Sequence, residues 1–440
     1  MIKLLYFLWQ LKRAEKFSKK KILRLQHKRL VKIVKHAIKN SKFYREQYKK
    51  AGITLKNVNN LKIKDLPVID KKIMMENFDD LICVKGVKRK DLEKFIAKNP
   101  ETEKIYKGKY RIIHSSGSSG KIGIYVYDNR AWTILKALAM SRVTKTKINF
   151  FKKHRLAFIG AMGGHYAGIS LAASAPRFLF KTLTVNINSP LQEIIKKVDK
   201  FKPDTITGYS SGAYILAEEQ LKGNINIKPK RILCSGDALT PMMAKKITEA
   251  FGVKPTNYYA SSESVCMAAQ CEEHKDLHLF NDWHVFEIEK EMLILSNLYN
   301  FAQPLIRYRM NDDLMPDNKP CKCGWPFPVI RIIAGRSEEF LWFEKKNGEK
   351  DFLHPCTLVE FFVEGLEKFQ FIQTEKNTIK INAVIFGKKD SVIKAMRSRM
   401  NEILRAKKLQ NTVKIDIAIV KDIKNDEKTG KFKLIVPLNA

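Results

Sequence analysis

The chain has 440 residues, of which 45% are hydrophobic, so it is long enough to bury a large core in two or three domains. Its 82 Lys and Arg residues outweigh 45 Asp and Glu residues, and the net charge is +37. Such a charge favours anionic membrane surfaces or acidic substrates as partners. No zinc-finger, RNA-recognition or helix-turn-helix pattern accompanies it, so no specific nucleic acid partner is expected.

Seven cysteines, an odd number, occur without a secretory signal sequence. This favours reduced thiols in the cytoplasm over a disulfide framework. The sequence contains no run of 18 apolar residues and therefore predicts no membrane-spanning segment. We expect a cytoplasmic protein, either free or held peripherally at the inner face of the membrane.

Residues 1–50 form a strongly basic helical start, with 17 Lys and Arg against Glu15 and Glu46. Apolar residues recur at helical spacing at Leu23, Leu30, Ile33, Val34, Ala37 and Ile38. One interpretation is a basic amphipathic helix that lies on anionic lipid. The other, which we favour, is a helix packed on the protein with a basic face in solvent. The apolar stretch LYFLW at residues 5–9 keeps the membrane interpretation open.

Strand-like and helix-like segments alternate from residue 110 to residue 259. Strands are predicted at 110–113, 124–127, 156–159, 204–209, 232–234 and 256–259. Helices are predicted at 131–142 and 190–201, followed by two that end at Leu221 and Phe251. This alternation implies an α/β fold with parallel pairing, in which ligands bind at the carboxyl ends of the strands. The segments SGD at 235–237 and YASSE at 259–263 fall at such ends.

The pattern changes at about residue 337. Alternating apolar residues at 379–383 and 413–419 predict strands, and those between 392 and 404 trace a helix. The sequence therefore predicts a small α+β domain at 337–440.

Residues 114–123, HSSGSSGKIG, lie between two predicted strands. Their small side chains allow N–H and hydroxyl groups to turn toward one anion, and Lys121 adds a positive charge. This composition suits a polyphosphate, although a flexible connector has a similar composition. A Walker A loop is excluded because Gly117 and Gly120 are too close together and a strand follows the lysine.

The order of residues in this loop resembles the phosphate loop of the adenylate-forming superfamily, which includes acyl-coenzyme A synthetases. Five further segments match motifs of that superfamily in order: 235–238 (SGDA), 259–263 (YASSE), 306–312 (IRYRMND), 335–338 (GRSE) and 428–431 (KTGK). The resemblance implies a large N-terminal ATP- and substrate-binding domain, residues 1–336, with parallel-rich sheets and helices. Residues 337–440 would then be a small, mobile α+β lid that carries a catalytic lysine.

The resemblance also assigns roles to individual residues. The ATP-binding residues would be Ser115, Ser116, Gly117, Ser118, Ser119, Gly120, Ser235, Gly236, Asp237, Tyr259, Ser262, Asp312 and Arg336. Tyr259 would stack on adenine and Asp312 would accept the ribose hydroxyls. Glu263 would hold Mg²⁺ and, with Lys121 and Lys431, form the catalytic set. The chain departs from the motifs at Ala260, Met310, Asn311 and Glu338, the last at the expected hinge.

Within the superfamily, the chain resembles the phenylacetate-coenzyme A ligase branch, and in particular capsular polysaccharide biosynthesis proteins of the CapK type. The segments that carry this resemblance are 41–45 (SKFYR), 304–309 (PLIRYR), 430–433 (GKFK), the cysteine spacing and the basic start. The resemblance implies an ATP-dependent, AMP-forming ligase that activates a carboxylic acid as an acyl-adenylate. The acceptor would be coenzyme A, a carrier thiol, or a sugar-linked amine or hydroxyl.

Two other functions remain open. One is adenylyl transfer onto an acceptor hydroxyl, and the other is a non-catalytic, membrane-associated scaffold. Retention of Glu263, Asp312, Arg336 and Lys431 argues against the scaffold.

Four residues have the composition of a closed structural zinc site: Cys271, His278, Cys321 and Cys323. Six residues separate Cys271 from His278, and Gly324 follows the Cys-x-Cys pair, a spacing that also resembles the phenylacetate-ligase branch. His274 is an alternative ligand, and two unrelated cysteine pairs are the alternative interpretation. The remaining cysteines, Cys83, Cys234, Cys266 and Cys356, are interpreted as ordinary thiols. His165, in a Gly-rich turn, is either a pocket residue or a structural one.

Overall fold

The computed structural model describes residues 1–115, 122–146, 151–273, 276–289, 292–317, 321–332, 340–359, 361, 363–424 and 433–438. Its α-helices are α1 (Ile2–Ala14), α2 (Lys19–Asn40), α3 (Lys42–Lys50), α4 (Lys71–Glu76), α5 (Phe78–Leu81), α6 (Arg89–Lys98), α7 (Asn129–Leu138), α8 (Ala167–Ala173), α9 (Leu191–Phe201), α10 (Ser210–Leu221), α11 (Pro241–Phe251), α12 (Pro355–Val359) and α13 (Lys389–Ala406). Single 3-10 turns span Val58–Asn60 and Ile63–Asp65, and a π-helix, Ala139–Val143, continues α7.

The strands are β1 (Tyr110–His114), β2 (Ile124–Asp128), β3 (His154–Gly160), β4 (Phe180–Asn186), β5 (Thr205–Gly208), β6 (Arg231–Cys234), β7 (Thr256–Tyr259), β8 (Ala268–Gln270), β9 (Leu277–Leu279), β10 (His284–Glu289), β11 (Met292–Asn297), β12 (Tyr308–Asp317), β13 (Val329–Ile332), β14 (Leu341–Glu344), β15 (Lys350–Leu353), β16 (Leu366–Glu375), β17 (Thr378–Ile385), β18 (Lys414–Ile419) and β19 (Ile435–Val436).

One large sheet organises residues 154–332, in the strand order β10-β11-β12-β13-β9-β8-β7-β6-β5-β3-β4. Strands β3 to β7 pair in parallel, and β7 to β13 continue the sheet with antiparallel pairing. The parallel half alternates with α8 to α11, since parallel strands need crossover connections. The predicted α/β class is confirmed, and each strand and helix predicted between residues 110 and 259 is present.

The basic start is packed on the protein. Helix α1 buries Leu4, Phe7 and Leu11 against a core that includes α7, and α2 buries Ile33 and Val34. These contacts match the interpretation of a packed helix with a basic face in solvent. Leu23, although it shares the helical spacing of the apolar residues, is exposed. Its neighbour Ile22 is buried instead, against Phe17, Trp325 and Phe327.

A fully buried ion pair lies beneath this N-terminal layer, and Arg29 of the layer joins it. The Arg142 guanidinium, in the π-helix, donates to both carboxylate oxygens of Asp282 at 2.7 and 2.9 Å. Arg29 of α2 lies 3.8 Å from the same carboxylate, and its guanidinium stacks 3.4 Å over the Trp283 ring. Removing one partner of a buried pair typically costs about 3–5 kcal/mol, because the other charge is left uncompensated.

The C-terminal segment has its own core. Strands β16 to β19 form a four-stranded sheet, in the order β18-β17-β16-β19, and α13 buries Met396 and Met400 against it. The hairpin β14–β15 contributes Leu341 to this core and Phe352 to the core beneath the parallel strands. The strands and the helix predicted for this region are therefore present, and the hairpin packs on both cores.

Burial of His284 makes the stability of the fold sensitive to acid. The ring contacts the Phe280 carbonyl at 2.9 Å and the Ser264 hydroxyl at 2.8 Å, and burial lowers the pKa of His284 to about 4. The unfolded chain, with a histidine pKa of about 6.5, binds this proton first as the pH falls. The contribution of neutral His284 to stability is therefore complete above pH ~6.5 and is lost progressively toward pH ~4.

We expect the free energy of unfolding in urea to fall between pH 7.5 and pH 4.5, with about 2 kcal/mol of the change due to His284. The His284→Gln variant should show a smaller pH-dependent change than the wild type, whereas exposed His27→Gln should match it. An unchanged pH dependence in His284→Gln would contradict the assignment.

Candidate active site

The turns that follow β5, β6 and β7 lie side by side. In the parallel pairing, Gly208 is opposite Cys234, and Cys234 is opposite Asn257. Because the three strands run in the same direction, segments 209–212, 235–238 and 260–263 leave the sheet at the same edge. The register thus brings together the two segments that the sequence placed at strand ends.

Tyr259 and Asp312 are in direct contact. The Tyr259 hydroxyl donates a hydrogen bond of 2.6 Å to Oδ2 of Asp312. Burial raises the pKa of Tyr259 well above its ordinary value, so the phenol stays protonated and acts as the donor. The residues assigned to adenine and ribose, although 53 positions apart, therefore share one location.

Glu263 is a buried carboxylate held by two tyrosines. Its Oε1 accepts hydrogen bonds from the Tyr125 hydroxyl at 2.6 Å and from the Tyr308 hydroxyl at 3.4 Å. The two phenols are 3.1 Å apart. Burial, and then the Glu263 charge, raises the pKa of both tyrosines, so both remain protonated. Within the described part of the chain, Oε2 accepts no hydrogen bond, and this oxygen fits a role as a cation ligand.

Sequence reasoning missed the two tyrosines. Tyr308 lies inside the 306–312 motif, and Tyr125 lies on β2, directly after the serine–glycine loop. Both side chains are buried. A buried tyrosine needs a partner for its hydroxyl, which was the one available signal, but a strand pattern does not identify that partner.

The base of the serine–glycine loop lies against the turn that carries Glu263. Ser115 closes the loop, since its Oγ accepts the Gly123 N–H at 2.9 Å. The Ser262 hydroxyl donates to the His114 carbonyl at 3.2 Å. His165 is structural: its backbone N–H donates to His114 Nε2 at 3.1 Å, and its buried ring contacts the Asn99 carbonyl at 2.7 Å.

Several predicted residues lie outside the described residues. They are Ser116, Gly117, Ser118, Ser119, Gly120 and Lys121 of the loop, His274, Arg336, Glu338 and Lys431. The side chain of Cys356 is likewise outside the described part.

The segment 235–237 ties neighbouring turns together. Ser235 donates its N–H to the Gly208 carbonyl at 2.8 Å. The Asp237 carboxylate accepts the N–H groups of Ser210 and Ser211, at the start of α10, at 2.5 and 3.1 Å. Gly236 has φ +86°, and a Cβ there would lie 2.8 Å from the Tyr209 ring. Asp237 therefore acts as a helix cap, whatever ligand the segment binds.

A buried histidine from the C-terminal segment meets these turns. His354, which follows β15, shares a hydrogen bond of 2.7 Å with the Ser211 hydroxyl and stacks on Tyr209 at 5.2 Å. Its Nε2 lies 3.8 Å from Asp237. Burial lowers the pKa of His354, although nearby Asp237 opposes the shift. No local sequence pattern points to this residue, because its partners are more than 100 positions away.

A second buried contact joins the C-terminal segment to the larger α/β part of the chain. Lys407 donates to the Ile187 and Ser189 carbonyls at 3.1 and 2.7 Å and lies 3.3 Å from Asp351. The other carboxylate oxygen of Asp351 accepts the N–H of Leu191, the first residue of α9, at 3.1 Å. The C-terminal segment is thus docked beside the predicted site through hydrogen bonds from buried charged groups as well as apolar packing.

A small apolar cavity of about 60 Å³ lies against the face of the parallel strands. It is lined by residues of the π-helix, α8 and the strands, which include Met140, Leu171, Phe158 and Phe180. Thr207 and Tyr258 also line it. Gly168, Leu171 and Ala172 of α8 line this cavity, whereas the turn at 209–212 does not.

Cys271, His278, Cys321 and Cys323 converge, with their ligand atoms all within 4.8 Å of one another. The Cys271 and Cys321 sulfurs are 3.5 Å apart, and Cys323 Sγ is 3.4 Å from His278 Nε2. His278 Nδ1 lies 3.1 Å from the Phe327 carbonyl, to which it can donate. With the proton on Nδ1, Nε2 carries the lone pair that a metal ligand requires. Three sulfurs and one imidazole in this arrangement fit a tetrahedral zinc ion.

Comparisons with known proteins agree with the predicted resemblance. Residues 349–437 match the family model of the CapK C-terminal domain. The chain is 26% identical over 401 residues to protein CapK of Staphylococcus aureus. This match covers 86% of this chain and 82% of that protein. It is 22% identical over 347 residues to phenylacetate-coenzyme A ligase of Thermus thermophilus, covering 74% and 73% of the two chains.

The fold matches a solved ligase. The crystal structure of 2-hydroxyisobutyryl-CoA ligase, in complex with 2-HIB-AMP and CoA in the thioesterification state, superposes with a TM-score of 0.62 at 17% identity. The match covers 97% of this chain and 91% of that one. This likeness shows the fold, with a large α/β part followed by a smaller C-terminal part.

Proposed function

From the similarity of the chain to CapK and to phenylacetate-coenzyme A ligases, we propose that it is an ATP-dependent, AMP-forming carboxylate ligase. It would join a carboxylic acid to AMP, release pyrophosphate, and pass the acyl group to an acceptor. The observation that supports this proposal best is the convergence of Tyr259, Asp312, Glu263 and the base of the serine–glycine loop at one edge of the sheet.

Each group at this edge has a task in such a reaction. The Tyr259 ring offers an apolar face to a purine, and Asp312 offers acceptor oxygens to ribose hydroxyls. Glu263 would hold Mg²⁺ through Oε2, and the cation would offset phosphate charge. The loop hydroxyls and Lys121 would bind the outer phosphates, and Lys431 would neutralise charge between the carboxylate and the α-phosphate. These last assignments rest on the resemblance.

We further propose that residues 337–440 act as a lid that delivers Lys431 and excludes water when it closes. The separate core of this segment supports the proposal, as does its docking beside the site through His354 and Lys407. Coenzyme A is the acceptor in the names of the phenylacetate-activating relatives. A carrier thiol or a sugar-linked group, as in surface polysaccharide synthesis, is the alternative acceptor that the CapK relationship suggests.

The experiment is to measure pyrophosphate release from Mg-ATP across a panel of carboxylic acids, with and without coenzyme A. We expect release that depends on one class of acid and falls about 100-fold or more in Lys431→Ala, because a charge that stabilises the transition state is lost. Lys433→Ala, which makes the same charge change two residues away, is the matched control and should keep most of the activity.

Two other results of this experiment would indicate an adenylyltransferase or a non-catalytic scaffold. Transfer of AMP to a hydroxyl acceptor without acyl-adenylate would replace the ligase with an adenylyltransferase. ATP binding without turnover on any acid or acceptor would support a scaffold and contradict the proposal.

The tyrosine pair generates a second prediction. Tyr125→Phe removes the shorter hydrogen bond to Glu263 while keeping the ring. We expect the Mg²⁺ concentration for half-maximal activity to rise about tenfold, because groups that orient a metal ligand tune its affinity. Tyr214→Phe removes a similar 2.8 Å bond to Glu218 on the surface of α10 and should leave the Mg²⁺ dependence unchanged. An equal response of both variants would show that the Tyr125–Glu263 bond has no specific role.

We also propose that Cys271, His278, Cys321 and Cys323 bind a structural zinc ion. Four ligands and no open position favour a structural over a catalytic role. The site would clamp the loop before β13 onto β9, since His278 is paired with Val329 in the sheet.

Elemental analysis of the purified protein tests the zinc site. We expect about one zinc per chain in the wild type, loss of most of it in Cys321→Ser, and a lower melting temperature after chelation. Cys83→Ser, far from the cluster in sequence and not part of it, should retain the metal. A metal-free wild type that keeps its melting temperature in the presence of chelator would exclude the site.

A further inference from the structure

Helix α1 presents apolar side chains on two opposite faces. One face, made by Leu4, Phe7 and Leu11, is buried in the core. The other face points to solvent and consists of Ile2, Leu5, Tyr6 and Trp9, which we call the outer stripe. The packing of the inner face means that the outer stripe is not needed to hold α1 on the protein.

The outer stripe is continuous and strongly exposed. Ile2, Leu5, Tyr6 and Trp9 have helical spacing of three and four residues, so they lie along one side of the helix. Their exposed fractions are 82%, 39%, 52% and 54%. The Tyr6 and Trp9 rings stack on each other, with centroids 6.3 Å apart. Water therefore contacts a contiguous apolar surface that includes two large aromatic rings.

Exposed apolar residues are concentrated here rather than spread evenly. Of the 16 large apolar side chains that are exposed in the described residues, five fall within residues 1–9, the fifth being Met1. Isolated exposed apolar side chains are normal on a soluble protein, whereas a contiguous patch marks an interaction surface.

Exposed cations lie next to the outer stripe along the chain. The Arg13 guanidinium lies 4.5 Å from the Trp9 ring centroid. Lys3, Lys12 and Lys16 are exposed on or just after α1. The start of α2 adds exposed cations at Lys19, Lys20, Lys21 and Arg24. An apolar stripe bordered by Lys and Arg is complementary to a surface that is apolar within and negatively charged at its boundary.

An anionic lipid bilayer has those two properties. Tyr and Trp rings favour the headgroup level, and the long stems of Lys and Arg can follow apolar surface while their charges reach the phosphates. Thirteen residues at 1.5 Å each give α1 a length of about 20 Å, too short to cross the hydrocarbon layer. In the described part of the chain, no helix combines the length and apolarity that a membrane crossing requires. Contact would therefore be along the surface.

We propose that α1 docks the protein on anionic phospholipid surfaces. The outer stripe enters the interface between headgroups and acyl chains, and Arg13 with the neighbouring lysines binds lipid phosphates. This inference rests on the N-terminal surface alone and does not depend on the proposed enzymatic activity.

The experiment is co-sedimentation of the full-length protein with vesicles of phosphatidylcholine, pure or with 30% phosphatidylglycerol. We expect binding to the anionic vesicles that weakens as salt is raised. The double variant Leu5→Ser with Trp9→Ser should bind about tenfold more weakly, because it removes apolar area that would otherwise leave water. Phe386→Ser is the matched control. Phe386 is 74% exposed and lies just before Lys388 and Lys389 in the C-terminal segment. The variant therefore removes an exposed aromatic ring beside cations at a site outside α1.

A second measurement locates the contact. Brominated lipids in the anionic vesicles should quench part of the tryptophan emission of the wild type and much less of the emission of Trp9→Phe. Both substituted side chains are exposed, so unchanged circular dichroism will verify that the variants fold.

Three outcomes would overturn the proposal. Salt-sensitive binding that the Leu5 and Trp9 changes do not weaken would show non-specific attraction of a basic protein. An equal loss in Phe386→Ser would show that the outer stripe has no special role. Absence of vesicle binding together with self-association that the double variant abolishes would assign this surface to a second copy of the chain.

Discussion

The parallel register of β5, β6 and β7 is the constraint on which the candidate site depends. Backbone hydrogen bonds align the three strands, so the turns that follow them must leave the sheet together. Each turn then carries short polar residues. Asp237 caps α10, and Glu263 lies where the serine–glycine loop begins. The site is therefore a product of backbone alignment first and of side-chain chemistry second.

Buried charge imposes the next set of contacts. Glu263 and Asp282 are both carboxylates in the interior, and a buried charge is tolerated only when it is hydrogen-bonded or paired. Asp282 is neutralised by Arg142 and Arg29, which makes it structural. Glu263 instead accepts hydrogen bonds from the neutral hydroxyls of Tyr125 and Tyr308. Among the described residues, no positive charge is paired with it. That difference separates a carboxylate that stabilises the fold from one that is suited to hold a cation.

The C-terminal segment is connected to the site by polar contacts in addition to the apolar packing of the β14–β15 hairpin. Its own core lies between α13 and the four-stranded sheet. His354, Asp351 and Lys407 instead reach turns and helix starts of the larger part. Paired polar groups can separate and become hydrated at lower cost than an apolar core can be opened. This kind of contact is compatible with a domain that docks and undocks. The outer stripe of α1 belongs to the N-terminal layer, in which Arg29 of α2 contacts Asp282.

The sequence alone determined those features that depend on local order. Periodicity predicted the alternating strands and helices of residues 110–259, because burial of one face repeats with the period of each element. Motif order indicated the superfamily, and cysteine spacing identified four residues that the fold brings together. Tertiary structure decided which side chains complete the site. Tyr125 and His354 make hydrogen bonds to partners more than 100 residues away along the chain. Ile22, rather than its neighbour Leu23, packs near the distant Trp325. Trp9 is exposed to solvent because the core covers the other side of α1. None of these follows from spacing along the chain, because each depends on which distant surface lies opposite.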